Sequence, residues 1–393
     1  MTEKSIEWRI PFNKPAIVGT EFDGVQQVFS HGKFAGGGGF NKACNQWLKQ
    51  HLNACDVLLT TSCTHALEMA ALLCELSPDD EVILPSYAFT STATAFARCG
   101  AKLVFVDCLS STMNLDPDAV AVAITPRSKV IVALHYAGVS CDMRALRALA
   151  DKHKLKIVED AAQALFASHE GQPCGTLGDY GCFSFHETKN LHCGEGGALV
   201  LNRPEDVEKA EILLEKGTNR MRFFRGETSR YEWVGMGSSY VTSELNAAFL
   251  LAQLKAGEDI TKARLASWKA YYRFLQPLEA AAQLELPSPP SNCKHNGHIF
   301  WIKLADKLER DALIAHLKVQ GIAAVFHYIP LHSAPAGRVY GTFHGEDLNT
   351  TKESMRLLRL PLYYDITEAE IEAVVCAVTD FFVAAGDRSN ATT

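Results

Sequence analysis

Between residues 56 and 202, seven apolar runs follow one another. They are DVLLT (56–60), EVILP (81–85), KLVFVD (102–107), KVIVALH (129–135), KIVED (156–160), GCFSF (181–185) and ALVLN (198–202). Each has the length of a strand, and none alternates polar with apolar residues, so both faces of each expect cover. Helical patterns separate the first five. Residues 64–76 carry apolar positions at helical spacing and end at Ser77-Pro78-Asp79-Asp80. Residues 142–153 form another such pattern, with Asp142 as its N-cap. Repetition of this kind predicts an α/β fold, here a mostly parallel seven-stranded sheet with right-handed crossovers. Ligands of such sheets sit beyond the carboxyl ends of the strands.

The rest of the chain reads differently. Residues 243–278 are helical, with a break near Gly257, and a proline- and serine-rich stretch covers 284–293. Beyond it come a strand (298–304), a helix (306–320, stopped by Gly321), a strand (322–328) and a last helix (368–384). This is a small α+β unit. The division predicted is a large α/β domain at 1–256 and a linking helix with a small C-terminal domain at 257–393. The end, GDRSNATT, reads as frayed.

Bulk properties exclude some functions. A net charge of −7 without long charge runs argues against wrapping nucleic acid. No apolar stretch reaches the roughly twenty residues of a membrane span, and the N-terminus lacks the apolar core of a signal peptide. The twelve cysteines are scattered with no C-x-x-C pair, which reads as reduced thiols in a cytoplasmic protein rather than a metal site.

The chemistry collects at the predicted strand ends. GCFSF delivers Lys189 into a turn, and Gly194, Gly196 and Gly197 follow it. KIVED ends in Asp160, with Gln163 one helical turn on. A lysine can bond to an aldehyde, and a carboxylate can hold a proton on a pyridine nitrogen. Pyridoxal 5'-phosphate needs both. Its phosphate needs donors, and Ser62-Cys63-Thr64 opens a helix whose free N–H groups suit an anion. Ser184 could add a hydroxyl. Phe89 or Tyr87, just past a strand end, could lie over the ring. Each residue also has a plainer reading. Lys189 alone suits a surface loop, Asp160 and Ser62 suit helix caps, and the aromatics suit a core. The order of the whole set is what is specific.

In that order the sequence resembles the DegT/DnrJ/EryC1/StrS sugar aminotransferases, fold-type I pyridoxal-phosphate enzymes, over essentially its whole length. The resemblance implies that Lys189 forms the bond to the cofactor, Asp160 faces the ring nitrogen and Gln163 the ring oxygen. It also implies that Phe89 stacks, and that Ser184 with the Cys63 and Thr64 amides holds phosphate. Several segments are most similar to the subgroup that makes dTDP-4-amino-4,6-dideoxygalactose for the bacterial cell envelope, in lipopolysaccharide or enterobacterial common antigen. They are FSFHETKN (183–190), EKGTNR (215–220), FFRG (223–226), VFHYIPLHSAPAG (325–337), FHGED (343–347) and TTKES (350–354). That likeness implies L-glutamate as donor, dTDP-4-dehydro-6-deoxy-D-glucose as acceptor, and a homodimer with sites at the subunit interface. One departure stands out: Ser239 occupies the place of an asparagine that, in many members, reaches the partner's cofactor phosphate.

For the sugar nucleotide's phosphates the candidates are Lys216, Arg220, Arg222, Arg225 and Arg230, which crowd one glycine-containing segment. They equally suit a solvated loop. His186, His327, Tyr328 and His332 are candidates for the hexose, although a lone histidine is more often structural. The Gly36–Gly39 run reads as a mobile loop near the site or as a plain linker. One site serving two substrates in turn predicts ping-pong kinetics. The rivals are amination at C3, the gluco C4 epimer, a 3-dehydratase (which would carry histidine in place of Lys189), and a non-catalytic cofactor-binding protein.

Overall fold

The computed structural model describes residues 8–390. All seven apolar runs are strands, at Asp56–Thr60, Glu81–Pro85, Lys102–Val106, Ser128–Leu134, Lys156–Asp160, Tyr180–Ser184 and Gly197–Leu201. Their order across the sheet is 56–60, 197–201, 180–184, 156–160, 128–134, 81–85, 102–106. Only Gly197–Leu201 runs against the rest. Alternate residues point to opposite covered faces. Val82, Leu84, Val130, Val132 and Val158 enter one core, while Ile83, Ile131, Ala133 and Ile157 enter another. Burying each such aliphatic side chain contributes about 1.5–3 kcal/mol, which is why the runs need no polar alternation.

An eighth strand, Gly341–Phe343, extends the predicted seven and pairs parallel with Lys102–Val106. Three residues are too few to show a period. Gly341 permits the approach, since a Cβ there would meet the Leu103 carbonyl oxygen at 2.7 Å. The added strand caps an edge that would otherwise expose free backbone groups.

The helices start where polar caps stand. Asp142 accepts from Ala145 N–H at 3.0 Å and opens Met143–His153. Ser62 accepts from His65 N–H at 3.1 Å and opens Cys63–Leu73. Such a cap is worth about 1 kcal/mol. The helical stretch after Ser243 divides at Ala256 into Glu244–Lys255 and Gly257–Ala280. The glycine run at 36–39 is anchored rather than loose. The N–H groups of Gly38, Phe40 and Asn41 all donate to the Glu244 carboxylate, at 3.1, 2.9 and 2.9 Å.

A separate core gathers Tyr271, Leu275, Phe300, Ile302, Leu313, Leu358, Leu360 and Val374. In it, Phe300–Lys303 and Val325–Phe326 both pair antiparallel with Leu357–Leu360. The strand expected at 322–328 is thus shorter, because Ile322 bridges to Ile10 and His327 and Tyr328 turn into a cavity. The last helix runs Glu368–Asn390, so the tail expected to fray is helical to residue 390, and 391–393 lie outside the described residues. We propose that the two units divide at residue 256/257, where these helices part.

Asp107 ties the end of the strand Lys102–Val106 to residues 348–350 of the C-terminal unit. Its buried carboxylate accepts from the N–H groups of Cys108, Leu348, Asn349 and Thr350 and from the Thr350 hydroxyl. Asp107→Ala leaves these donors unanswered. It is expected to destabilise the fold by about 3 kcal/mol, read as a lowered urea midpoint.

Candidate active site

The carboxyl ends of the strands at 56–60, 81–85, 128–134, 156–160 and 180–184 open on one cavity of about 530 Å³. That volume lies in the range of small-molecule sites. The sheet supplies its floor. Phe12 and Asn13 from the N-terminus close one part, and His298, Ile299, His327, Tyr328 and Arg359 from the C-terminal unit close another.

Asp160 stands in the floor, 3% exposed. Register sets it level with Leu134 on one side and Cys182 on the other. Its Oδ2 accepts from the Thr92 hydroxyl at 2.6 Å and its Oδ1 from Ala162 N–H at 3.2 Å. Burial pushes its carboxyl above the ordinary value, against the pull of those two donors and of Lys189. The neighbouring Glu159 points the other way and is fully committed. It accepts from Gly175, Leu177 and Gly178 N–H and faces His135 Nε2 at 2.8 Å. His135 Nδ1 accepts Cys141 N–H, so its ring proton sits on Nε2, towards Glu159.

Lys189 lines the same cavity. A turn in which its N–H donates to the His186 carbonyl at 2.9 Å presents it there. Burial pushes its amine below the ordinary lysine value, and Arg359 adds to that, while Cys63 and Asp160 pull it back. The next residue, Asn190, ties the turn to the C-terminal unit through the Asn296 carbonyl at 3.2 Å and His298 Nδ1 at 2.8 Å.

The helix Cys63–Leu73 aims its N-terminus at the cavity. Ser62 caps His65, and among the described residues nothing takes the N–H groups of Cys63 and Thr64, which stay open to an anion. Hydroxyls of Thr64, Ser91 and Ser184 line the wall beside them. Gly197 makes this geometry possible, because a Cβ there would fall 2.3–2.5 Å from Ser62 and Cys63 backbone atoms.

Phe89 lines the cavity and is 57% exposed, with Tyr328 at 6.3 Å between ring centroids. Tyr87 is fully buried behind the wall, its hydroxyl donating to the His327 carbonyl, so Phe89 is the ring available for stacking. Gln163 donates from Nε2 to the Tyr328 hydroxyl at 3.2 Å, and its Oε1 accepts Ala137 N–H. His186 is also in the wall, 3.6 Å from Glu195. His327 is kept neutral: burial, with the Arg359 and Lys189 charges, pulls its imidazole well below the ordinary value.

Some expected residues stand elsewhere. His332 lies outside the cavity. Ser86 holds its Nδ1 at 2.6 Å, Asp347 faces its Nε2 at 3.3 Å, and its ring packs on Phe343. Arg220, Arg222 and Arg225 do not line the cavity of their own chain either. They face Glu215, Glu208, Glu211 and Glu227. Lys216 also pairs with Glu215, and Arg230 is exposed outside the cavity. Ser239 is exposed and bridges to Glu215. Sequence reasoning missed Thr92, His298 and Arg359. A readable signal existed for Arg359, a lone charge inside the apolar run LLRLPL.

With this geometry in place, comparison with known proteins adds an independent line. The DegT/DnrJ/EryC1/StrS aminotransferase family matches residues 15–379. The spore coat polysaccharide biosynthesis protein SpsC of Bacillus subtilis (strain 168) is 31% identical over 382 residues, covering 94% of this chain and 96% of that protein. The aminotransferase TlmJ from Streptoalloteichus hindustanus superposes with a TM-score of 0.87 at 30% identity, over 96% of this chain and all of that one. The 3-amino-5-hydroxybenzoic acid synthase structure gives 0.86 at 28%, over 96% and 99%.

The lowered lysine value carries a stability signature. Folding disfavours the charged amine, so the penalty is full below the folded value and is relieved as pH rises towards 10.5. Lys189→Met removes it. The cofactor-free variant should melt above wild type near pH 7, with the gap closing as the pH climbs through the lysine range.

Proposed function

The chain belongs to the DegT/DnrJ/EryC1/StrS aminotransferase family, and from that premise we propose that it moves the amino group of L-glutamate to C4 of dTDP-4-dehydro-6-deoxy-D-glucose, giving dTDP-4-amino-4,6-dideoxy-D-galactose and 2-oxoglutarate. Membership makes it a pyridoxal-phosphate-dependent sugar aminotransferase. The residues fit that cofactor. Open helix N–H groups, a buried carboxylate with spare acceptor sites and a lysine of lowered basicity converge on one cavity. This convergence is the observation that carries the reading. The choice of acceptor leans on the segments at 183–190, 215–226 and 325–354.

Bound there, pyridoxal phosphate supplies a carbonyl carbon that exchanges amino groups and a ring that takes up negative charge. The chain's own residues do the rest. The Cys63 and Thr64 N–H groups and the Ser62, Thr64 and Ser184 hydroxyls would hold the phosphate. Asp160 would hold a proton on the ring nitrogen, Gln163 would meet the ring oxygen and Phe89 would cover a face. Lys189 Nζ, whose cation burial disfavours, takes the proton from the α-carbon of glutamate and in the second half returns one at C4 of the sugar. His186, His327 and Tyr328 flank the hexose. Both substrates use the one site in turn, which is the ping-pong pattern.

A homodimer completes the proposal. Phe224, Tyr231, Trp233, Val234 and Met236 are all more than half exposed in one segment. Apolar exposure on that scale marks an interaction surface. In such a pair the segment would bring Ser239 to the partner's phosphate and Arg220, Arg222 and Arg225 towards the nucleotide. No helix among the described residues is long and apolar enough to cross a membrane, which suits the cytoplasmic setting we infer.

The test is NMR analysis of the product after incubation with glutamate and dTDP-4-dehydro-6-deoxyglucose. An axial C4 amine is expected, and an equatorial amine or none contradicts the assignment. Lys189→Ala should lower turnover by about 10²–10⁴-fold or more, and full turnover in that variant would refute the lysine's role.

A further inference from the structure

Arg359 lies in the central strand of the C-terminal sheet, between Leu358 and Leu360. Those two leucines enter the C-terminal core, so strand alternation turns Arg359 to the opposite face. There it lines the cavity that holds Lys189 and Asp160. None of its guanidinium nitrogens has a hydrogen-bond or ion-pair partner among the described residues, and its Nε is buried. Its guanidinium carbon lies over the Phe12 ring, 4.6 Å from the centroid.

Two other partly or fully buried arginines are answered. Arg356, on the adjoining helix, bonds Glu285, Glu353 and the Leu304 carbonyl. Arg264 bonds the carbonyls of Gly297, His298 and Leu362. A shielded guanidinium without a counter-charge is costly, so a vacant fork in a cavity wall points to an anionic ligand. Neither carboxylate of the cavity, Asp160 or Glu195, pairs with Arg359 among the described residues, and Glu195 faces His186.

We propose that Arg359 receives a carboxylate of the amino-acid donor. The inference rests on the transaminase reading above. Its logic is chemical. The donor carries a carboxylate on the very carbon whose proton Lys189 must reach. The keto sugar has no charge near its reacting carbon, because its phosphates are at the far end. The cofactor's phosphate already has the helix N-terminus. Arg359 acts electrostatically on Lys189, so the two groups share one field. A planar fork matches a carboxylate with two parallel bonds. It would admit an α-amino acid and give a plain amine nothing to hold.

The experiment is calorimetric titration of the cofactor-loaded protein with glutarate, a dicarboxylate that has no amino group to react. Wild type should bind it. R359Q should weaken binding by about 10- to 100-fold, and R359K, which keeps charge but loses the fork, should fall between. Cofactor content per chain and dTDP affinity should not change in either variant. Equal glutarate affinity in wild type and R359Q overturns the proposal, as does failure of wild type to bind glutarate. Loss of cofactor or of dTDP binding in R359Q with glutarate affinity intact also overturns it, assigning Arg359 to a phosphate. If Arg359-dependent glutarate binding is found but glutamate never changes the cofactor's absorption, the carboxylate site stands and the transaminase reading fails.

Discussion

A carboxylate taken out of water at the end of a strand must be answered by donors or by positive charge. Asp160 is nearly inaccessible, yet among the described residues only two donors reach it. An ionised carboxylate has about four acceptor sites. The remaining capacity faces a cavity whose other fixed feature is Lys189. Burial works on the two groups in opposite senses, raising the acid and lowering the amine. Each therefore lies closer to the proton affinity that chemistry near neutral pH requires. Thr92 and Ala162 oppose the upward push of burial on Asp160, and burial disfavours the cation of Lys189.

The sheet alone does not make this site. Its strands place Asp160, Ser184 and the loop at Ser62 along one rim, and Gly197 lets that loop sit against the neighbouring strand. The C-terminal unit then closes the cavity with His298, His327, Tyr328 and Arg359. Buried amides join the two. Asn296 bonds the Gln163 and Leu165 carbonyls at 2.8 Å each, and Asn190 meets His298. A shift between the units would be felt at Gln163 and at the lysine turn together.

The large sheet was legible because its strands are covered on both faces. Covered strands read as unbroken apolar runs, and all seven were visible. Asp160, Lys189, Ser62, Thr64 and Ser184 could be placed because strand ends are where such sheets hold ligands. What stayed hidden depends on long-range contact. The strand Gly341–Phe343 exists only because an edge is there to receive it. Thr92 matters through a carboxylate 68 residues away in sequence. His332 looked like a site residue beside Tyr328, but Ser86 and Asp347 turn it aside. The arginines of 220–225 read as candidates for the nucleotide's phosphates or as a solvated loop, and the carboxylates facing them come from the preceding helix as well as from their own loop.

Reduction with borohydride followed by peptide mass spectrometry tests the central claim most directly. Freshly isolated protein should carry the vitamin B6 adduct on the tryptic peptide that includes Lys189, and nowhere else. An adduct on another lysine, or none on protein that retains the cofactor's absorption, would contradict the account.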